Sequence, residues 1–193
     1  ALLQIGARFT APAKLDSPTR GYWASSVTST VHGVWVTYLA WRALVDGEFW
    51  PSEDLGRVTP AAVHCCTIYL AYLAVDVFPL FYYAKAWKGT GLYIMHHVLS
   101  LFSWTLMAVR GHLLVIACGL LLLEATAPFT NGRWMLSTLG VSSGPLYTLN
   151  GLCMALSFLV LRVVFMGYLL LRYVVLMRAQ FFALPPSTYI TVL

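Results

Sequence analysis

Two adjacent histidines, His96 and His97, lie within the apolar stretch GLYIMHHVLSLFSW at residues 91–104. Imidazole titrates near neutrality, so these side chains could act as a general base, a general acid or an acyl carrier. Asp76 and Glu124 also lie in apolar surroundings, and their carboxylates could orient an imidazole and stabilise its charged form. This combination predicts a proton-transfer or nucleophilic site. The alternative is that the histidines form hydrogen bonds between helices and only hold the fold together.

Helix geometry limits what the two histidines can do together. Successive residues of an α-helix point about 100° apart, because one turn contains about 3.6 residues. We therefore expect one histidine to face the interior and the other to face a seam between helices. A metal site is not predicted, since adjacent histidines on a helix are poorly placed to chelate one ion and the sequence has no HxxxH or HxxE pair. No cofactor is indicated.

The composition places these residues in a membrane protein. Of the 193 residues, 60% are hydrophobic and 10% are charged, and the mean hydropathy is +0.75. A soluble domain usually carries about 25% charged residues, so this chain cannot cover a water-exposed surface. The net charge of +5 comes from scattered basic residues, which argues against nucleic acid as a partner. The four cysteines lie in apolar contexts without a CxxC motif and are expected to be buried thiols.

The hydropathy pattern predicts the architecture. A membrane-crossing helix needs about 20 mostly apolar residues, and candidates lie at 22–44, 61–83, 92–109, 113–127 and 146–177. We therefore predict an all-α protein, a polytopic transmembrane bundle of about five to six helices. An extramembrane segment at 1–21 precedes the bundle at 22–178, and a tail follows at 179–193.

Two further features refine this prediction. The first helix is rich in Ser and Thr, so it should face other helices more than lipid. The fourth helix should end at Pro128 and the NGR sequence that follows. The segment at 45–60 should form an acidic loop. The N-terminal segment, the 84–90 link and the 128–145 loop carry more basic residues and are expected on the cytosolic or matrix side.

Four stretches share their order and spacing with a known family. They are SSVTSTVHG with His32, IYLAYLAVDVF with Asp76, IMHHVLSL with His96 and His97, and LLLEATAPFTNGRWML with Glu124, Asn131 and Arg133. Together they resemble the TLC domain family, polytopic proteins that include the ceramide synthases. The last stretch is similar to the small, non-synthase members. In ceramide synthases an acidic His-Asp…Asp motif follows the paired histidines, and the matching stretch GHLLVIACGLLLLEA has no aspartate.

The resemblance implies several functions that the residues leave open. The first is lipid binding or a role in membrane lipid homeostasis, for a sphingolipid or acyl lipid, without clear evidence of catalysis. The alternative is a non-catalytic accessory subunit of a larger membrane complex. The second alternative is an acyltransferase with histidine as base or acyl carrier, although the missing acidic motif leaves enzyme activity uncertain. Membrane lipids are the expected partners, with other membrane subunits as the alternative.

The same hypotheses define the candidate site residues. The candidate catalytic residues are His96, His97 and Asp76. A second set is assigned to lipid binding or to a structural polar network, and it comprises His32, Glu124, Asn131, Arg133 and Arg162. The resemblance implies a multi-pass protein of the endoplasmic reticulum. The mixed N-terminal segment makes the mitochondrial inner membrane the alternative.

Overall fold

The computed structural model describes residues 2–46 and 54–184, and every regular element in these ranges is a helix. The helices are α1 (Leu2–Phe9), α2 (Ser17–Val45), α3 (Pro60–Tyr82), α4 (Thr90–Arg110), α5 (Leu114–Leu121), α6 (Ala127–Thr138), α7 (Pro145–Leu176) and α8 (Arg178–Ala183). A 3₁₀ turn, Leu122–Thr126, joins α5 to α6. The all-α prediction is confirmed. Residues 47–53 of the predicted acidic loop and the predicted tail from residue 185 onward lie outside the described residues.

Four helical segments of the described chain are long and apolar enough to cross a membrane: Pro60–Tyr82, Thr90–Arg110, Leu114–Thr138 and Pro145–Leu176. α2 has 29 residues, but its many Ser and Thr residues lower its hydropathy. It nevertheless runs along α3, because Ser25 bonds to Asp76 near one end and the Cys65 thiol bonds to the Val36 carbonyl further along. α2 is therefore the fifth long segment, in agreement with the predicted bundle size.

Neighbouring long segments run antiparallel. Asp76 of α3 lies opposite His97 of α4, and Tyr69 lies opposite Trp104 further along the same two helices. α2 and α3 have the same arrangement, as do α6 and α7. The starts of α2, α4 and α7 and the ends of α3 and α6 therefore lie at one end of the bundle. We call this end the basic end, because the segments there carry Lys14, Arg20, Lys85 and Lys88.

The half of the bundle away from the basic end has a tightly packed apolar core. Val36 and Ala40 of α2 are fully buried there against α3 and α5. The core cysteines, by which we mean Cys65, Cys66 and Cys118, are each 0% exposed and free. The prediction of buried thiols is thus confirmed for these three. The core fixes the helices that continue toward the basic end.

The fourth predicted helix extends further than the sequence indicated. The prediction that it ends near residue 127 is wrong, because the chain continues as α6 to Thr138. Pro128 lies in the first turn of α6, where a backbone N–H has no helical partner and its absence costs little. Leu114–Thr138 thus forms one crossing, half of whose apolar window is buried, compared with 6% for α7. This crossing is central in the bundle, and α7 is peripheral.

α2 begins at Ser17 rather than at the predicted residue 22. The Asp16 side chain caps the helix by accepting a hydrogen bond from the Thr19 amide at 3.0 Å, and Pro18 occupies the first turn. Hydrogen bonds from the side chain and the backbone of Thr19 lower the pKa of Asp16. The cap keeps the N-terminal turns of α2 helical at the basic end, where they approach the site.

Candidate functional site

A polar cleft of about 400 Å³ opens in the basic half of the bundle. Side chains from α2, α3, α4, α6, α7 and the 3₁₀ turn line it, and most of them carry hydroxyl, amide or charged groups. The lining residues are Tyr22, Ser25, Ser26, Ser29, Tyr72, Asp76, Tyr93, His97, Thr126, Ala127, Thr130, Asn131, Trp134, Phe158 and Arg162. Polar groups at membrane depth are costly unless they face a partner or a wet cavity, so their convergence marks this cleft as the candidate site.

Asp76 connects three helices on one wall of the cleft. Its Oδ1 accepts a hydrogen bond from Ser25 of α2 at 2.9 Å. Its Oδ2 accepts one from the Tyr72 hydroxyl at 3.3 Å and lies 3.1 Å from Nε2 of His97 on α4. The carboxylate is 5% exposed. A buried carboxylate with three partners on three helices both orients His97 and holds α2, α3 and α4 together.

Both ring nitrogens of His97 are engaged. Nδ1 lies 2.9 Å from the backbone oxygen of Tyr93, one turn earlier in α4. A carbonyl oxygen only accepts hydrogen bonds, so Nδ1 carries a proton. One proton then lies between Nε2 and the Asp76 carboxylate, either on nitrogen as an ion pair or on oxygen as a neutral pair. In this conformation His97 has no free nitrogen with which to attack or deprotonate a substrate.

The other two histidines that we predicted lie outside the cleft lining. His96 is exposed on the outer face of α4, and its ring meets that of His97 edge-on, with a centroid distance of 5.7 Å. The prediction that the pair faces different directions is thus confirmed, but the expectation that the second histidine faces a seam between helices is wrong, because His96 is exposed. His32 is buried on α2 and stacks on the Tyr72 ring at 3.9 Å. Its buried Nε2 has no hydrogen-bond partner among the described residues.

Arg162 of α7 lies on the wall opposite Asp76. Its Nε and Nη2 both donate to the Thr126 hydroxyl, at 3.2 and 3.1 Å. That hydroxyl in turn donates to the Leu123 carbonyl at 2.9 Å. Within residues 2–46 and 54–184, no carboxylate lies within 4 Å of Arg162. Glu124 of the 3₁₀ turn lies outside the cleft lining and interacts with Arg162 electrostatically over a longer distance. The direct contacts that position the guanidinium are therefore hydrogen bonds to a hydroxyl, without an ion pair.

The NGRW sequence of α6 joins this helix to its neighbours. On one side, Asn131 donates to the Thr30 hydroxyl of α2 at 3.0 Å. On the other side, Arg133 donates to the Tyr147 carbonyl of α7 at 2.8 Å, and its guanidinium lies 3.5 Å from the centroid of the Tyr147 ring. A Cβ at Gly151 would lie 2.5 Å from Arg133, so glycine makes room for it. Asn131 thus borders the cleft, whereas Arg133 belongs to the seam between α6 and α7.

α4 and α7 form two edges of the cleft. α4 packs mainly on α3, and α7 packs on α6 and the 3₁₀ turn. α4 contributes Tyr93 and His97 to one edge of the cleft, and α7 contributes Phe158 and Arg162 to the other. These two helices share no comparable packing interface in the described chain. We call the space between these two edges the gap between α4 and α7.

Sequence reasoning did not single out several residues that complete the cleft. Ser25, Tyr72 and Thr126 each bond directly to a predicted site residue. Tyr72 precedes Asp76 by four residues, the helical spacing that brings two side chains onto one face, so this neighbour was detectable. Ser25 and Thr126 depend on the register between helices, for which a single sequence contains no signal.

These features define a multi-pass helical protein with a polar cleft inside an apolar bundle. Comparison with known proteins is more specific, because residues 22–193 match the family model described as the TLC domain. The chain belongs to the TLC domain family, and the predicted resemblance is confirmed. It is an integral membrane protein with apolar membrane-spanning helices.

The chain is also similar to individual family members. It is 30% identical over 150 residues to human TLC domain-containing protein 4, a match that covers 73% of this chain and 54% of that protein. It is 29% identical to the zebrafish TLC domain-containing protein 4-B and 32% identical to its Xenopus laevis counterpart, over 75% and 78% of this chain and 54% and 57% of those proteins. The chain therefore spans about half the length of these relatives. No solved structure matches it.

Proposed function

We propose that this protein binds a membrane lipid in the polar cleft and takes part in membrane lipid homeostasis. The observation that supports the proposal best is the cleft of about 400 Å³, which places polar groups within a bundle whose outer surface is apolar. Ligand pockets typically combine apolar walls with a few convergent polar groups that fix the orientation of the ligand. The gap between α4 and α7 would admit a ligand directly from the bilayer.

The geometry gives less support to acyl transfer. That reaction needs an imidazole nitrogen free to act as base or acyl carrier. His97 uses both nitrogens, and His96 does not line the cleft. We therefore keep acyl transfer as a second candidate, in which Asp76 and His97 would first have to separate. The described contacts give the role of an accessory subunit less support than they give lipid binding.

Filling the cleft tests the proposal. Ser29 lines the cleft on α2, so Ser29→Phe should occupy the space where a lipid would lie. Val34 lies on the same helix with 57% of its surface exposed, so Val34→Phe adds the same ring outside the cleft. After gentle extraction, native mass spectrometry should detect bound lipid on the wild type and on Val34→Phe, but not on Ser29→Phe. Equal lipid on all three proteins, or none on the wild type, would contradict the proposal.

A further inference from the structure

We propose that Arg162 binds the anionic head group of a single-chain lipid, a carboxylate or a phosphate, with the chain leaving the cleft between α4 and α7. This inference rests on the proposed function and names the class of ligand. It begins with the unused hydrogen-bonding capacity of Arg162. A guanidinium has five N–H donors in a planar fork. Only two of its nitrogens have a partner within the described chain, and both share the single oxygen of Thr126.

Arg162 also has no close ion-pair partner, although Glu124 of the 3₁₀ turn interacts with it electrostatically. No carboxylate lies within 4 Å of it in residues 2–46 and 54–184. Asp76 lines the same cleft, but its carboxylate is already engaged by His97, Tyr72 and Ser25. Asp76 and His97 have no net charge as a pair, and Glu124 does not line the cleft, so Arg162 is the cationic group that faces the cleft. A ligand with a negative head group would supply the missing partner.

The position of Arg162 favours a lipid over a water-soluble anion. It lies about 25 Å along α7 from Pro145, at about 1.5 Å per residue, and so about midway along this helix of 32 residues. A hydrocarbon core is about 30 Å thick. A head group reaches this depth most directly from the side, through the gap between α4 and α7. The acyl chain could then remain against the exposed apolar surface of α7.

The guanidinium is held in an orientation that suits an anion. Two bonds to the Thr126 hydroxyl fix Nε and Nη2, and the Phe158 ring lies 5.2 Å from the guanidinium carbon. The remaining N–H groups are left for two oxygens of one ligand, the geometry in which arginine binds carboxylates and phosphates. Thr126 is thus a positioning residue for Arg162.

Three probes with the same type of hydrocarbon chain and different head groups test the inference: oleate, oleoyl lysophosphatidate and the neutral oleyl alcohol. We would measure their binding to the protein in nanodiscs of neutral lipid. The wild type should prefer at least one anionic probe to the alcohol, and that probe identifies carboxylate or phosphate as the group bound. Arg162→Gln should weaken binding of this probe about 10- to 100-fold, as expected for loss of charge-assisted hydrogen bonds. It should leave oleyl alcohol unchanged.

Further variants separate charge from geometry. Arg162→Lys keeps the charge but loses the planar fork, so its preference should be intermediate. Thr126→Val should weaken the preference less than Arg162→Gln. Arg172→Gln removes a charge from the same helix outside the cleft lining and should behave as the wild type.

The outcomes distinguish this inference from the function on which it rests. If the wild type binds all three probes equally, or if Arg162→Gln keeps the anionic preference, the inference is wrong and lipid binding stands. If the wild type binds none of them, both fail. The comparison of probes on the wild type needs no variant, so a variant that does not fold leaves the test intact.

Discussion

Replacing Asp76 by alanine should destabilise the bundle, because its carboxylate joins three helices. The change removes hydrogen bonds to Ser25, Tyr72 and His97. Hydrogen bonds within membrane bundles contribute about 0.6 kcal/mol each on average, which sets a lower bound of about 2 kcal/mol for the loss of three. Breaking a buried ion pair costs about 3–5 kcal/mol, because the remaining charge has no partner. We therefore expect Asp76→Ala to lower the free energy of unfolding by about 2–5 kcal/mol.

A double-mutant cycle isolates the contribution of the Asp76–His97 pair. The variants are Asp76→Ala, His97→Ala and the double variant, unfolded in mixed micelles and followed by circular dichroism. Once one partner is gone, removal of the other should cost less, so we expect a coupling energy of about 1–3 kcal/mol. His96→Ala provides the matched control, because His96 is the adjacent histidine and makes no contact with Asp76 in the described contacts. Its coupling to Asp76 should be within about 0.5 kcal/mol of zero.

A further variant, Asp76→Asn, tests the assignment of a proton to Nδ1 of His97. Asp76→Asn keeps the shape of the side chain, and its amide can donate to Nε2 of His97 while Nδ1 donates to Tyr93. The amide nitrogen, in the position of Oδ2, no longer accepts the hydrogen bond from the Tyr72 hydroxyl. Asp76→Asn should therefore cost only about 1 kcal/mol, the net value of that one hydrogen bond. Additive effects of the alanine variants would refute the reasoning. They would mean that the contact between Asp76 and His97 does not hold α3 and α4 together.

Three further predictions concern the rest of the bundle. Gly33→Ala should lower the free energy of unfolding by about 1–3 kcal/mol, because its Cβ would lie 2.9 Å from a backbone oxygen of the 3₁₀ turn, whereas Gly167→Ala meets open space and should not destabilise. Because its pKa is lowered, the Asp16 carboxylate stabilises the start of α2 at neutral pH and loses this effect as the pH falls through that pKa. The NMR signal of the Thr19 amide should report the loss, and Asp16→Asn should abolish the pH dependence of that signal. A maleimide should label Cys153, which is partly accessible, before any of the three core cysteines, and faster labelling of the core would show that the bundle opens there.

Much of the fold could be predicted from the sequence because hydropathy and helical periodicity are local signals. Five apolar or Ser/Thr-rich segments predict five long helices, and the structure contains them. The two helix ends that differ from the prediction by more than two residues involve prolines. Pro128 looks like a terminator in the sequence, but it lies in a first turn, where it is tolerated. Whether a proline ends a helix or begins one depends on the turn before it, and composition does not determine that.

The candidate site was predictable in part. The 100° step between successive helical residues required His96 and His97 to diverge, and they do. The choice of carboxylate was left open, and the structure places Asp76, rather than Glu124, beside His97. That choice depends on the register of α3 against α4. Arg133 and Arg162 show the same limit, since both are arginines near apolar helices, and only packing assigns one to a seam and the other to the cleft.

The two halves of the bundle differ in what holds them together, and this difference explains why a cleft persists. In the half away from the basic end, alanines and the core cysteines let α2, α3 and α5 approach closely, so packing alone stabilises the helices. In the basic half, the same helices are joined by polar contacts from Asp76 and Asn131, which leave space between the side chains. A bundle stabilised only by packing would need neither these contacts nor Arg162. Because the half away from the basic end already anchors the helices, the basic half can carry polar groups at membrane depth and keep them accessible to a ligand.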